Sequence, residues 1–227
     1  MDEFLMKDFY KNKKILITGH SGFKGAWMSL FLNQLGSAVS GLSDMKIQSG
    51  IYREIKKNKI FTDEFTGDIS NLNFINEIIS KNDFDIVFHF AAQGIVSKAA
   101  ENPRETITTN VLGTYNLLDA CNRNENIKLF VVATTDKVYE DHSNNNIESS
   151  KLGGREFYSA SKASSEHIIQ AFVNTEKRGD LFIGTVRAGN VLGGGDYGKD
   201  RILTDVLNSL SKKTNITLRN PNAMRPW

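Results

Sequence analysis

Residues 14–35 constrain the fold more than any other stretch. Lys14-Ile-Leu-Ile-Thr18 is a short apolar run of the kind that a strand buried on both faces requires, and it leads into Thr18-Gly-His-Ser-Gly-Phe-Lys-Gly25. From Gly25 onward Trp27, Met28, Leu30, Phe31, Leu32 and Leu35 recur at helical spacing, and Gly36 stands where a helix commonly ends. A strand that passes through spaced glycines into a helix brings unpaired main-chain amides and the positive end of the helix dipole to one point, which suits a pyrophosphate. Gly19, Gly22 and Gly25 let the chain turn tightly and approach such a ligand closely. The triplet alone is equally a tight strand-to-helix turn; its position at the first junction of an alternating chain favours a dinucleotide.

The alternation continues. Ala38–Leu42, Asp85–Phe90, Lys128–Ala133 and Leu181–Val186 read as strands, with a further one ending before Gly67. Helical patterns lie around 70–81, 103–122 and 157–177. Strands alternating with helices imply right-handed crossovers and a parallel sheet covered on both faces, an α/β fold of the Rossmann-type, doubly wound kind. After Arg187 the pattern changes to a glycine-rich turn, Gly193-Gly-Gly195, then a helical stretch 200–212 and a short expected strand Ile216-Thr-Leu218. Two regions follow from this change: 1–190 as the dinucleotide-binding domain and 191–227 as the beginning of a small C-terminal substrate-binding part. His142–Ser150, polar and rich in turn formers, is expected as a surface loop.

Composition removes several function classes. The 28 basic and 26 acidic side chains leave a net charge of +2 and are spread along the chain, which argues against nucleic acid as the partner. The longest apolar stretches, such as Ile86–Ala92, fall far short of the roughly 20 residues of a membrane span. The first ten residues carry early acids and no apolar core, so no secretory signal is read there and a cytoplasmic location is expected. The single cysteine, Cys121, cannot form an internal disulfide or a multi-thiolate metal site and is expected as a core thiol; no metal is expected.

Candidate reactive groups converge on one end of the sheet. An acid that bonds the adenosine ribose is expected about 20 residues after the glycine turn. Ser43 stands at that place and Asp44 one step beyond, which leaves NAD and NADP both open. Asp68, in Gly67-Asp-Ile69, is a partner for the adenine amino group or a neighbour of a helix N-cap. Tyr158 and Lys162 lie four apart on a helix, where a cation is expected to favour the phenolate and lower the tyrosine pKa so that it acts as a base. Thr134-Thr-Asp-Lys137 closes another strand at its carboxyl end, facing the same crevice, and sets an acid beside a base. Asn110 is a further polar candidate inside a helical stretch.

Together, Thr18-Gly-x-x-Gly-x-x-Gly25, Gly67-Asp-Ile69, His89-Phe-Ala-Ala-Gln93, Asn110, Thr135 and Tyr158-x-x-x-Lys162 make the chain from Lys14 onward resemble the extended short-chain dehydrogenase/reductases. Gly19–Trp27, Thr134–Lys137, Leu152-Gly-Gly154, Arg187–Asp196 and Arg219–Trp227 narrow the resemblance to the nucleotide-sugar 4,6-dehydratases, in the branch acting on CDP-glucose in O-antigen sugar synthesis. Lys137 favours that branch, because the dTDP-glucose enzymes carry Glu there.

The resemblance implies NAD held by Gly19, Ser21, Gly22, Phe23, Gly25, Ser43, Asp68, Ile69, Ala91, Ala92, Gln93, Asn110, Tyr158 and Lys162. It implies that Tyr158, assisted by Lys162 and oriented by Thr135, takes the proton of the sugar 4-hydroxyl while hydride leaves C4. Lys137, or a base acting through it, then removes the C5 proton, Asp136 protonates the departing 6-hydroxyl, and hydride returns to C6. Arg187, Asn190, Arg219 and Arg225 are placed near the substrate's nucleotide or diphosphate. Where the family carries Pro-Leu-Val-Arg and a Ser-Tyr pair, this chain has Gly94–Ala100, with Lys98 standing in for the arginine charge. A homodimer is implied. Two other outcomes stay open: another nucleotide-sugar epimerase or dehydratase, and a nonenzymatic NAD-binding fragment.

Overall fold

The computed structural model describes residues 3–141, 145–198, 201–218 and 221–222. Among the described residues six strands form one sheet in the order β3-β2-β1-β4-β5-β6. They are β1 (Lys14–Thr18), β2 (Ala38–Ser43), β3 (Phe61–Thr66), β4 (Ile86–His89), β5 (Leu129–Thr135) and β6 (Phe182–Ala188). Every neighbouring pair is parallel. The chain winds outward from β1 to β3, crosses back to β4 beside β1, and winds the other way to β6. The reversal leaves a crevice outside the carboxyl ends of β1 and β4, where ligands of open α/β sheets bind.

The period of two along β1 explains its burial on both faces. Leu16 joins a core with Leu42, Val87, Leu117, Phe130, Ile169 and Phe172, under helices α4 (Leu72–Lys81), α7 (Gly113–Arg123) and α8 (Phe157–Thr175). Ile15 and Ile17 point the opposite way, into a core with Leu32, Val39, Ile86 and Phe88 beneath α2 (Phe23–Gln34). Cys121 is fully buried in the first core, and burial raises its thiol pKa.

The structure departs from the expected elements at several points. Helices α1 (Glu3–Tyr10), α3 (Gly50–Lys57) and α5 (Val96–Glu101) are additional. All are short, and α3 is fixed by its cap, since the Ser49 hydroxyl accepts the Tyr52 N–H at 3.1 Å. The stretch read as one helix over 103–122 is α6 (Pro103–Ile107), a π-helical turn Thr108–Leu112 and α7. Ile216–Leu218 is not a strand: the chain runs on from α9 there as an irregular, exposed segment, although β6 leaves a free edge to the sheet. The final helix, α9 (Ile202–Lys212), follows the glycine-rich turn, which is seated on α2 and α3 by Trp27 Nε1–H to the Gly194 carbonyl at 3.0 Å and Gly50 N–H to the Gly195 carbonyl at 2.9 Å. Among the described residues no helix is long and apolar enough to cross a membrane.

Candidate functional site

The glycine turn is built by close main-chain approach. Gly19 has a φ of +73°, donates to the Leu42 carbonyl at 2.7 Å, and a Cβ there would lie 2.7 Å from the Ala91 nitrogen. A Cβ on Gly25 would lie 2.3 Å from the Gly19 carbonyl oxygen. Helix α2 therefore starts directly over the end of β1. Its N-cap is the extended Gly22, with no side-chain cap and no acid in the first turn, which leaves the first-turn amides to an anionic ligand. A diphosphate fits this cradle.

From the turn a groove runs between Ser21 and Gly22 on one side and Ala91, Ala92 and Gln93 on the other, with Ser43, Asp68 and Ile69 along its length. Phe23 and Gly25 occupy the first turn of α2. The Ser43 hydroxyl is 2.7 Å from that of Ser21 and accepts the Met45 N–H at 3.1 Å. Asp44 also lines the groove and pairs with Lys46 at 3.3 Å. Asp68 is not the helix cap, a place taken by Asn71; its Oδ1 accepts from the Ser70 N–H and hydroxyl, both at 2.8 Å, beside the groove. Lys98 faces this same groove, held by Glu105 at 2.9 Å, so it does not bring an arginine-like charge to the sugar side.

Asn110 does not open onto the groove. Fully buried in the π-helical turn, it accepts the Gln93 N–H at 2.8 Å and donates to the Gln93 carbonyl at 3.0 Å and to the Ser161 hydroxyl at 2.9 Å. It shapes the groove wall and ties it to α8. A second brace passes through His89. The Thr114 hydroxyl donates to the Asn110 carbonyl at 2.6 Å, so its oxygen accepts His89 Nε2–H at 2.9 Å. Nδ1 is then the acceptor for the Thr18 hydroxyl at 2.7 Å. Burial holds this imidazole neutral, with its pKa lowered to about 3. A histidine at the end of a buried strand is legible in sequence; its partners on β1 and α7 are not.

The reactive corner lies where β5 ends beside the start of α8. Glu156 caps α8 by accepting the Tyr158 N–H at 2.7 Å and the Ser159 N–H at 2.9 Å, while the Ser159 hydroxyl accepts the Glu156 N–H, a reciprocal box in the reverse of the usual Ser/Thr-x-x-Glu order. Thr135 stands close enough to the Tyr158 phenol to favour its ionised form. Thr135 Oγ1 also donates to Asp136 at 3.0 Å, and the Lys137 ammonium lies over the Tyr158 ring, 5.9 Å from its centroid. Lys137 and Asn190 line a neighbouring cavity of about 610 Å³, with Arg201 opposite. Thr135, Asp136, Lys137 and Tyr158 thus meet, as their spacing suggests. Arg219 and Arg225 lie outside the described residues.

Two expectations are corrected here. The Tyr158 phenol pKa is raised rather than lowered, because burial outweighs the opposing influence of Thr135. The cation expected to act on it, Lys162, spends a proton on the Ala133 carbonyl at 3.0 Å, and burial together with Lys24 lowers its own pKa to about 8. Arg187 does not face a diphosphate: its guanidinium forks onto Glu166, with Nε 3.1 and 3.0 Å from the two oxygens and Nη2 at 2.6 Å.

A model of the "NAD dependent epimerase/dehydratase family" matches residues 15–227. A CDP-glucose 4,6-dehydratase of Salmonella typhimurium is 37% identical over 97% of this chain and 64% of its own length. A dTDP-D-glucose 4,6-dehydratase of Dictyostelium discoideum is 31% identical over 93% of this chain and 51% of its own. The chain thus spans about half to two thirds of the curated relatives it matches. Among solved structures, a dTDP-glucose 4,6-dehydratase of Bacillus anthracis in complex with NAD superposes with a TM-score of 0.76, at 22% identity, over 90% of this chain and 63% of that one, a likeness of fold. The uncapped α2 over its glycine turn, the groove at the sheet's switch point and a family match across nearly the whole chain agree: this chain belongs to the NAD dependent epimerase/dehydratase family.

Proposed function

We propose that the chain carries the NAD-dependent loss of water from CDP-glucose that gives CDP-4-keto-6-deoxyglucose. The observation that carries the reading is the meeting of Lys137, Tyr158, Thr135 and Asp136 at the mouth of the crevice. An epimerase needs one proton relay at C4, whereas a dehydratase needs a second acid and base for C5 and C6, which Asp136 and Lys137 supply. The 37% identical relative bearing that activity name supports the choice of nucleotide.

In this reading the fixed phenol of Tyr158, oriented by Thr135, takes the 4-hydroxyl proton. Buried and with its pKa raised, it is a strong acceptor once ionised. NAD held over the Gly19, Gly22 and Gly25 turn would supply the hydride acceptor and donor that this chemistry needs. With C4 a ketone the C5 proton is acidic; Lys137, or a base acting through it, removes that proton and Asp136 protonates the 6-hydroxyl as it departs. The net change is one water lost, with no redox change overall. Asn190 lines the cavity that receives the rest of the substrate. Exposed Ile107, Leu112, Tyr115 and Phe157 on and beside α6, α7 and α8 support pairing of two copies there, which light scattering would read as twice the chain mass.

The test is a mass-spectrometric assay with NAD and, separately, CDP-, dTDP-, UDP- and GDP-glucose. Loss of one water from CDP-glucose alone is expected. Inversion at C4 without water loss would replace the reading by an epimerase, and NAD binding with no conversion of any sugar would make the chain a cofactor-binding unit.

A further inference from the structure

Helix α8 places Tyr158, Lys162 and Glu166 one turn apart on a single face. A carboxylate four residues from a buried ammonium is its natural ion-pair partner, yet the two do not pair: Lys162 donates to the Ala133 carbonyl at 3.0 Å. The reason is on β5 and β6. Thr134 donates to Glu166 Oε1 at 2.6 Å, and Arg187 holds both oxygens through its fork. Arg187 is itself fixed by the Tyr139 ring, 4.9 Å from its guanidinium carbon, and by the Glu148 carbonyl, which accepts from Nη1 at 2.9 Å. Glu166 is 5% exposed, so its lone pairs are spent inside the protein.

We propose that Arg187 is a positioning residue for Lys162: by occupying both oxygens of Glu166 it withholds that carboxylate from the ammonium and leaves Lys162 on the Ala133 carbonyl near the end of β5. An arginine suits the task because its planar fork satisfies two oxygens at once, which a point-like ammonium cannot. The charged and titratable groups facing Lys162 are Lys24 from α2, the neutral His89 from β4 and Glu166 from its own helix. Lys24 repels the ammonium and burial penalises it; Glu166, kept at arm's length, offsets only part of this.

The inference concerns the free protein and its test needs neither substrate nor turnover, so failure here and failure of the water-loss assay are separate results. The chain is labelled with 13C at the lysine Cε, Lys162 is assigned through Lys162→Arg, and its titration is followed by NMR. The wild-type midpoint is expected at about 8. In Arg187→Met the freed carboxylate turns to Lys162 and moves the midpoint up by about one pH unit or more, a tenfold change in acid strength. Adding Glu166→Gln removes the competitor and brings the midpoint back to the wild-type value or below it. If Arg187→Met does not fold, Arg187→Lys, which covers one oxygen, is expected to give a smaller upward move. A folded Arg187 variant whose Lys162 titrates as in the wild type would overturn the proposal.

Discussion

Asn110 clamps the main chain of Gln93 at two points, accepting its N–H at 2.8 Å and donating to its carbonyl at 3.0 Å, from the one π-helical turn described in the chain. The extra residue in that turn carries the amide inward between the groove wall and α8, where its second donor hydrogen reaches Ser161 at 2.9 Å. A side chain so committed acts on the cofactor groove through the shape of its wall.

Asn110→Ala would strand the Gln93 N–H and carbonyl in a buried site, at about 1–3 kcal/mol for each unsatisfied group. The expected outcome is a melting temperature several degrees lower and NAD binding weakened about tenfold, read by thermal denaturation and by fluorescence titration. Unchanged NAD affinity in a folded variant would show that the wall keeps its shape without the clamp.

Glu156→Ala removes the acceptor for two first-turn amides of α8, one of them that of Tyr158 itself. A lost cap costs about 1 kcal/mol. Because fraying begins at the reactive end of the helix, the turnover number is expected to fall more than the melting temperature suggests; Glu156→Asp, which keeps a capping oxygen, should recover most of both.

Gly25→Ala tests the cradle. Its Cβ would fall 2.3 Å from the Gly19 carbonyl oxygen, a clash with main chain that no rotamer relieves. NAD titration is expected to show binding lost or reduced more than a hundredfold, whereas Gly179→Ala, away from the groove and with a Cβ that meets nothing within 4 Å, should bind as the wild type does.

Acid sensitivity follows from His89. Its folded pKa of about 3 lies below the ordinary value of 6.5, so below pH 6.5 the unfolded chain takes up a proton that the folded chain refuses. The contribution is intact above pH 6.5 and is lost as pH falls toward 3, at up to about 1.4 kcal/mol per pH unit. Urea denaturation at pH 7, 5.5 and 4.5 should give falling stability, with a shallower fall in His89→Gln. Equal slopes for the two proteins would mean that the imidazole is protonated without unfolding.

Much of this was legible in the chain. Strands announce themselves as apolar runs between turn formers, so β1, β2, β4, β5 and even the largely exposed edge strand β6 lie where the runs lie. The glycine turn and the spacing of Tyr158 and Lys162 are local facts that survive folding. Short helices were not legible, because eight residues in α3, held by its Ser49 cap, and six in α5, without a side-chain cap, are too few for a long periodic face. Nor was the break at 108–112, since a π-helical turn has the same composition as the helix around it.

The sequence by itself determined the parallel sheet, the crevice at its carboxyl ends and which residue types reach that crevice, because periodicity, turn chemistry and crossover handedness act over a few residues at a time. Tertiary structure alone decided the partners. Arg187 could face a phosphate or a carboxylate, and the pairing of β5 with β6 set it on Glu166. Tyr158 could gain or lose acidity, and burial settled the direction against the expectation from spacing. Desolvation and ion pairing depend on everything packed around a charge, and those neighbours come from strands and helices tens of residues away.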